Sequence, residues 1–179
     1  MNDMSTGTRI KGIAHVQCFD SDGNLKWEDT AENMICNTSL TALLSSYFYN
    51  QTPPTTLYMG LVDNASFSAF AATDVYTTSG HSGWIENTAY SQTNRPTWTT
   101  GAAASQSITN ASAVVFSMTG TATLKGIFTV YGTSTNTKAD WTAGGGKVLN
   151  STAAFTGGNQ SVNNGDTLNV TYTITASSL

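Results

Sequence analysis

Charge is what this sequence has least of. Asp, Glu, Lys and Arg make up 10% of its 179 residues, against roughly a quarter in an ordinary soluble domain. The 7 basic residues are scattered, with no run that could neutralise a phosphate backbone. Nucleic-acid wrapping is excluded as the main task. Cysteine occurs twice, at 18 and 36, too far apart for a disulfide framework or a zinc site. Both are expected to be small, reduced and buried. Histidine also occurs twice. His15 falls on the polar face of a strand and His81 in a Ser-Gly-rich loop, and no G-x-S-x-G elbow accompanies either. No apolar run is long enough to span a bilayer, so no membrane partner is expected. The opening MNDMSTGTRIKG lacks the apolar core of a signal peptide, which leads us to expect synthesis in a cytoplasm without general export.

What remains is a surface of Thr, Ser, Asn and Gln. Such a surface repels itself weakly and is easily desolvated. It suits packing against neighbours in an assembly, it suits extracellular or virion surfaces, and it also arises by drift in a Thr-rich β protein. Hydrophobic residues at 39%, with 7 Phe, 7 Tyr and 4 Trp, describe a chain that folds. Residues 1–179 suit a single β-rich domain able to bury a core without disulfides or metal.

The hydrophobic pattern is mostly of period two. RIKGIAHVQCF at 9–19 puts Ile10, Ala14, Val16 and Cys18 on one face and Lys11, His15 and Gln17 on the other. DSDGN turns the chain with Asp22-Gly23 as its positive-φ site, and LKWEDT at 25–30 returns. The resulting hairpin, 9–30, could stand out as an arm. LYMGLVD at 57–63 reads as a short buried strand, and 64–80 as loop. AVVFSM at 113–118 reads as a strand, turned at GTA into an antiparallel partner, TLKGIFTVYG at 123–132. KVLNSTAAF at 147–155 follows a polar loop. At the C-terminus Leu168, Val170, Tyr172 and Ile174 alternate with Asn169, Thr171, Thr173 and Thr175, giving one buried and one solvated or partner-facing side. One segment differs. Asn37 can cap a helix, and Leu40, Leu43, Leu44, Tyr47 and Phe48 follow at helical spacing, so a short helix spans about 37–49 before Pro53-Pro54. These elements predict a mainly β protein: an antiparallel β-sandwich, with a jelly roll as one form of it, and one short α-helix.

Chemical motifs fail on inspection. No H-E-x-x-H, C-x-x-C or EF-hand is present, so neither metal nor cofactor is expected. DSDGN opens like a calcium loop, but the position that needs its closing Glu is Ala31. GGGK at 144–147 resembles a phosphate loop, yet Trp141 stands where its first Gly belongs and Val148 where Ser or Thr belongs. The one candidate acid in an aromatic setting is Glu86, between Trp84 and Tyr90. Asp74 or Asp63 could be the second carboxylate that a glycosidase needs. Without such a pair the same aromatics suit sugar binding. No catalytic residue is assigned, and the chain is expected not to be an enzyme.

The run SGWIENTAYSQTNRPTW, 82–98, holds most of the distinctive side chains. We expect a long loop folded back on the body, with Trp84 and Tyr90 as apolar anchors and Glu86 paired with Arg95 or bonded to backbone. Pro96 should fix the chain before Trp98. These six residues are the structural or interaction candidates.

Taken in order, several segments resemble a known set. They are the DGN hairpin beside LKWED, NMICN leading into a Leu-rich helix, LYMGLVD, Asp74, SGHSGWIE, Tyr90, Arg95-Pro96 and Trp98. Phe116, Gly120-Thr121, Gly126-Ile127-Phe128 and GDTLNVTYTI follow. This order is similar to a family of small β-rich virion proteins of tailed bacteriophages. The resemblance implies capsid decoration: a cement protein, made in the host cytoplasm, that sits on the capsid surface between subunits of the major capsid protein. It implies no catalytic residue. Its low charge would leave few ions to strip of water on docking, and Thr-rich strands could pair edge to edge in a homo-oligomer, a dimer or trimer. The alternative is a receptor- or glycan-binding module at a tail or fibre, which would need Trp84, Tyr90 and Trp98 to face solvent around a shallow cleft.

Overall fold

A computed structural model describes residues 7–53, 56–132 and 136–178. The chain is mainly β and antiparallel, with its sheet curled as a half-barrel and, among the described residues, one α-helix, a sandwich-like fold as the sequence implies. In chain order the strands are β1 (Thr8–Phe19), β2 (Leu25–Ile35), β3 (Thr56–Asp63), β4 (Ile85–Asn87), β5 (Thr97–Trp98) and β6 (Ser107–Thr109). Then come β7 (Val114–Ser117), β8 (Ala122–Gly132), β9 (Val148–Phe155), β10 (Gln160–Val162) and β11 (Thr167–Ser178). The helix α1 (Asn37–Phe48) lies between β2 and β3, and a 3-10 turn spans Thr78–His81. All strands join one hydrogen-bonded path, β4-β3-β8-β9-β2-β1-β11-β6, with β5 on β3, β10 on β8 and β7 on β11.

The first hairpin forms as its pattern requires. Asp20 Oδ1 accepts from the backbone N–H of Asp22 and of Asn24, and Gly23 alone takes a positive φ, at 84°. The hairpin does not project. β1 is registered against β11 along its whole length and against β2 from Ile13 onward, so 9–30 is built into the sheet. Two further expectations change. β7 pairs with β11, not with β8, because the turn at 119–121 carries the chain across the fold to place β8 between β3 and β9. The Thr-rich β11 is no free edge, since β1 lies on one side of it and β6 and β7 on the other.

Nearly every strand sends one face into a shared inner core. Ala14, Val16, Cys18, Leu57, Met59, Leu61, Phe116, Leu124, Ile127, Leu168, Val170 and Tyr172 meet there. A bulge in β8 opposite Val62/Asp63 lets Leu124 and Ile127 face the same side although three positions apart. β3, β8 and β9 are also covered on the other face. Tyr58, Val62, Phe128, Val130 and Leu149 pack under residues of the 64–84 and 136–147 connections, among them Phe67, Phe70, Tyr76, Trp84 and Trp141. Gly60 permits this second layer, because a Cβ there would stand 2.2 Å from Cζ of Phe128.

Helix α1 departs from expectation at its N-cap, and its apolar side is open to solvent. Its N-cap is Cys36, with no side-chain cap bond, and the Asn37 N–H is given instead to the Ala72 carbonyl. Its apolar residues are not in the core: Leu40, Leu43 and Leu44 are exposed, and Tyr47, Phe48 and Tyr49 are 81%, 77% and 75% exposed. Only Ser39 is buried. The helix ends at Phe48, before Pro53 is reached, and Pro54 lies outside the described residues.

Candidate functional site

The register of β3 explains the 82–98 segment. Cross-strand partners point to the same side of a sheet. Val62 faces outward and opposes Glu86, while Leu57 faces inward and opposes Trp98. The segment therefore straddles the free edge of β3, with Trp84, Glu86 and Arg95 in the outer layer and Tyr90 and Trp98 in the inner core.

Outside, Trp84 is buried among His81, Phe70, Phe128 and Trp141, and its Nε1 donates to Asp74 Oδ2 at 2.9 Å. Arg95 grips Glu86 with two prongs, Nε to Oε1 at 2.9 Å and Nη2 to Oε2 at 2.6 Å. The two side chains are 0% and 2% exposed. Arg95 Nη1 also donates to the Tyr76 hydroxyl, the Asn136 amide oxygen and the Asp140 carbonyl. The guanidinium carbon lies 4.4 Å from the centre of the Trp141 ring. Burial alone would lower the pKa of Arg95, but hydrogen bonds to Glu86 and its charge outweigh that and hold it above the usual arginine value. Glu86 is further fixed by the Ala139 N–H and the Tyr90 hydroxyl.

Inside, Tyr90 meets Phe116 edge-on at 5.2 Å, and Trp98 meets Tyr172 edge-on at 5.3 Å. Burial drives the Tyr90 phenol far above its ordinary pKa. Between these anchors the Pro96 carbonyl accepts the Met59 N–H at 2.9 Å, tying the segment to β3. The six residues singled out in the sequence thus divide between the two faces of the sheet: Glu86 and Arg95 pair in the outer layer beside Trp84, the Tyr90 hydroxyl reaches Glu86 from the inner core, and Trp98 packs apart from them on Tyr172.

This geometry removes the supports of two readings. A glycosidase needs a free acid and a second carboxylate across a cleft. Glu86 is consumed by Arg95, Asp74 by Trp84, and Asp63 by the Asn87 amide and the Ala65 N–H. A sugar platform needs open rings, whereas Trp84, Tyr90 and Trp98 are all buried. Among the described residues no three His, Cys, Asp or Glu side chains gather to hold a metal, and no helix is long and apolar enough to cross a membrane. Cys18 and Cys36 are free and buried, with thiols pushed up to about 12 chiefly by desolvation.

The open chemistry lies at α1. A groove of about 430 Å³ separates the helix from one end of the inner face of the sheet. Ile10, Ile35, Leu40, Leu43, Ile108 and Ile174 wall it, and Asn33, Ser39 and Asn150 supply polar groups. These amides anchor a buried chain of hydrogen bonds. Ser39 Oγ donates to Asn150, Asn150 Nδ2 donates to Thr129, and the Thr129 and Ser151 hydroxyls are hydrogen-bonded to each other. Asn33 links the Gly12 N–H to the Tyr172 hydroxyl. Sequence reasoning placed α1 but assigned its apolar residues no role. The signal available was charge: NTSLTALLSSYF contains none, so the side that carries its leucines and aromatic rings is not flanked by the ionised residues of an ordinary surface helix.

Searches of known protein families, of curated proteins and of solved structures find nothing that matches the chain.

Proposed function

We propose that this chain is a virion structural protein of a tailed bacteriophage, a cement or decoration protein that binds between subunits of the major capsid protein and stabilises the shell. The observation that carries this reading is a charge-poor exterior bearing one uncharged aromatic helix, with Leu43, Leu44, Tyr47, Phe48 and Tyr49 in the solvent. Exposed apolar surface of this extent marks a protein-binding face. Little charge need be dehydrated when such a surface docks. Docking energy would come from buried area and from many copies acting together on one shell. Residues 84–98 then serve as a structural clasp that keeps the body rigid under load.

Mass spectrometry of purified virions tests this. The chain should be present in many copies, and particles made without it should release DNA at lower temperature. Absence from the particle, or particles indifferent to its loss, overturns the reading.

A further inference from the structure

The α1 groove and the aromatic end of α1 are a hole and a knob on one surface. The groove has apolar walls and amide or hydroxyl groups at Asn33, Ser39, Asn150 and Gln106. Such a site fits an amphipathic ring, apolar in its body and polar at its tip. Tyr47 is a ring of that kind, one helical turn beyond Leu43 of the groove wall, and it is 81% exposed.

Charge selects the partner. Two copies of a chain with net charge −4 repel wherever acidic surfaces meet. The residues of α1 and of the groove walls include no Asp, Glu, Lys or Arg, so this face brings two copies together without juxtaposing like charges. Area agrees. At the exposures of Tyr47, Phe48 and Tyr49, three rings of about 200 Å² each offer about 450–500 Å². The exposed parts of Leu40, Leu43 and Leu44 and the groove walls carry each copy toward the ~800 Å² of a standard interface. Knob and hole on one helix are self-complementary, which is the condition for a closed two-fold contact.

We propose that the groove seats the aromatic end of α1 from a second copy of the same chain, forming a two-fold dimer. The proposal goes beyond the virion reading, because the isolated chain tests it whether or not the chain belongs to a particle.

The test is the mass of the purified full-length chain by light scattering at micromolar concentration. The expected result is twice the 18.8 kDa of one chain. The double substitution Tyr47→Ser/Phe48→Ser alters only exposed side chains. It should leave the melting temperature of the monomer unchanged while raising the dimer dissociation constant by about 100-fold or more. Ala103→Trp, which fills the groove from its own wall, should do the same. Mixed copies carrying Tyr47→Cys and Ala103→Cys separately should cross-link to each other. A monomer at high concentration, a trimer, or a dimer untouched by both sets of substitutions overturns the proposal. So does a monomer whose Tyr47→Ser/Phe48→Ser form is lost from shells, which would assign the face to the capsid instead.

Discussion

Arg95 and Glu86, nine positions apart, meet as a two-pronged ion pair with no solvent contact at the guanidinium. The pair is held from four sides, by Tyr76, Asn136, Ala139 and the Trp141 ring. Removing one partner leaves the other charged in a dry site, so Glu86→Gln or Arg95→Met should each cost about 3–5 kcal/mol. The double substitution should cost clearly less than the sum. Urea denaturation of the four forms measures this coupling, and strict additivity would show that the pair does not act as a unit.

Trp84 fills the outer core and satisfies Asp74. Trp84→Ala should destabilise by about 3–5 kcal/mol, as for large buried aromatics. Trp84→Phe keeps most of the volume but leaves the Asp74 carboxylate without its indole donor, and should cost about 1–3 kcal/mol. Calorimetric melting compares the two, and an unchanged melting temperature for Trp84→Ala would contradict a clasp.

His81 lies between Trp84 and Trp141, with ring centroids at 4.4 and 4.0 Å. Burial holds its pKa below the ordinary 6.5, against smaller upward pulls from the Trp84 carbonyl, Asp74 and Glu86. In the window below about 6.5 the unfolded chain binds a proton at this histidine that the folded chain refuses. This contribution is intact above 6.5 and is lost as pH falls through the window. Melting temperature should therefore drop between pH 7 and pH 5, and His81→Phe should flatten that slope. An identical slope in the variant would remove His81 from the account.

Gly12 is required by side chains rather than by a turn. A Cβ there would stand 2.3 Å from the Tyr172 hydroxyl and 2.7 Å from Asn33 Nδ2. Gly12→Ala should cost about 1–3 kcal/mol through overpacking and a broken Asn33–Tyr172 bond. Loss of stability that Asn33→Ala partly rescues, read by chemical denaturation, would verify the mechanism.

Burial pushes both thiols up to about 12. At pH 8 neither Cys18 nor Cys36 should react with a thiol-titrating disulfide reagent in the native protein, and both should react in denaturant. Rapid native labelling of either would place it at the surface.

What was legible in the sequence follows from what periodicity encodes. Alternation located β1 and β11 because each buries one face, a short apolar run located β3, and the DSDGN turn fixed the first hairpin and with it β2. The roles of Trp84, Glu86, Arg95 and Pro96 were legible because such side chains in a long loop need internal partners. Strand partnership was not legible. The GTA turn implied a β7–β8 hairpin, yet Val114–Ser117 found its partner in β11, fifty residues on. The outer core was hidden for a related reason: a strand buried on both faces, like LYMGLVD, says nothing about which loops cover it. In α1 the helical spacing was correct, but spacing alone does not distinguish a face turned to the core from one left for a partner.

The sheet ends in fragments. At one extreme β3 is flanked by β4 and β5, of three and two residues, and at the other β11 is flanked by β6 and β7, of three and four. Neither rim offers a long run of unclaimed backbone groups to an incoming chain. Concentrated copies are thereby discouraged from growing into a fibre by adding strands. Any assembly of copies would then rest on side chains, which can be counted, substituted and saturated, so that its size would be set by geometry and not by an open-ended template.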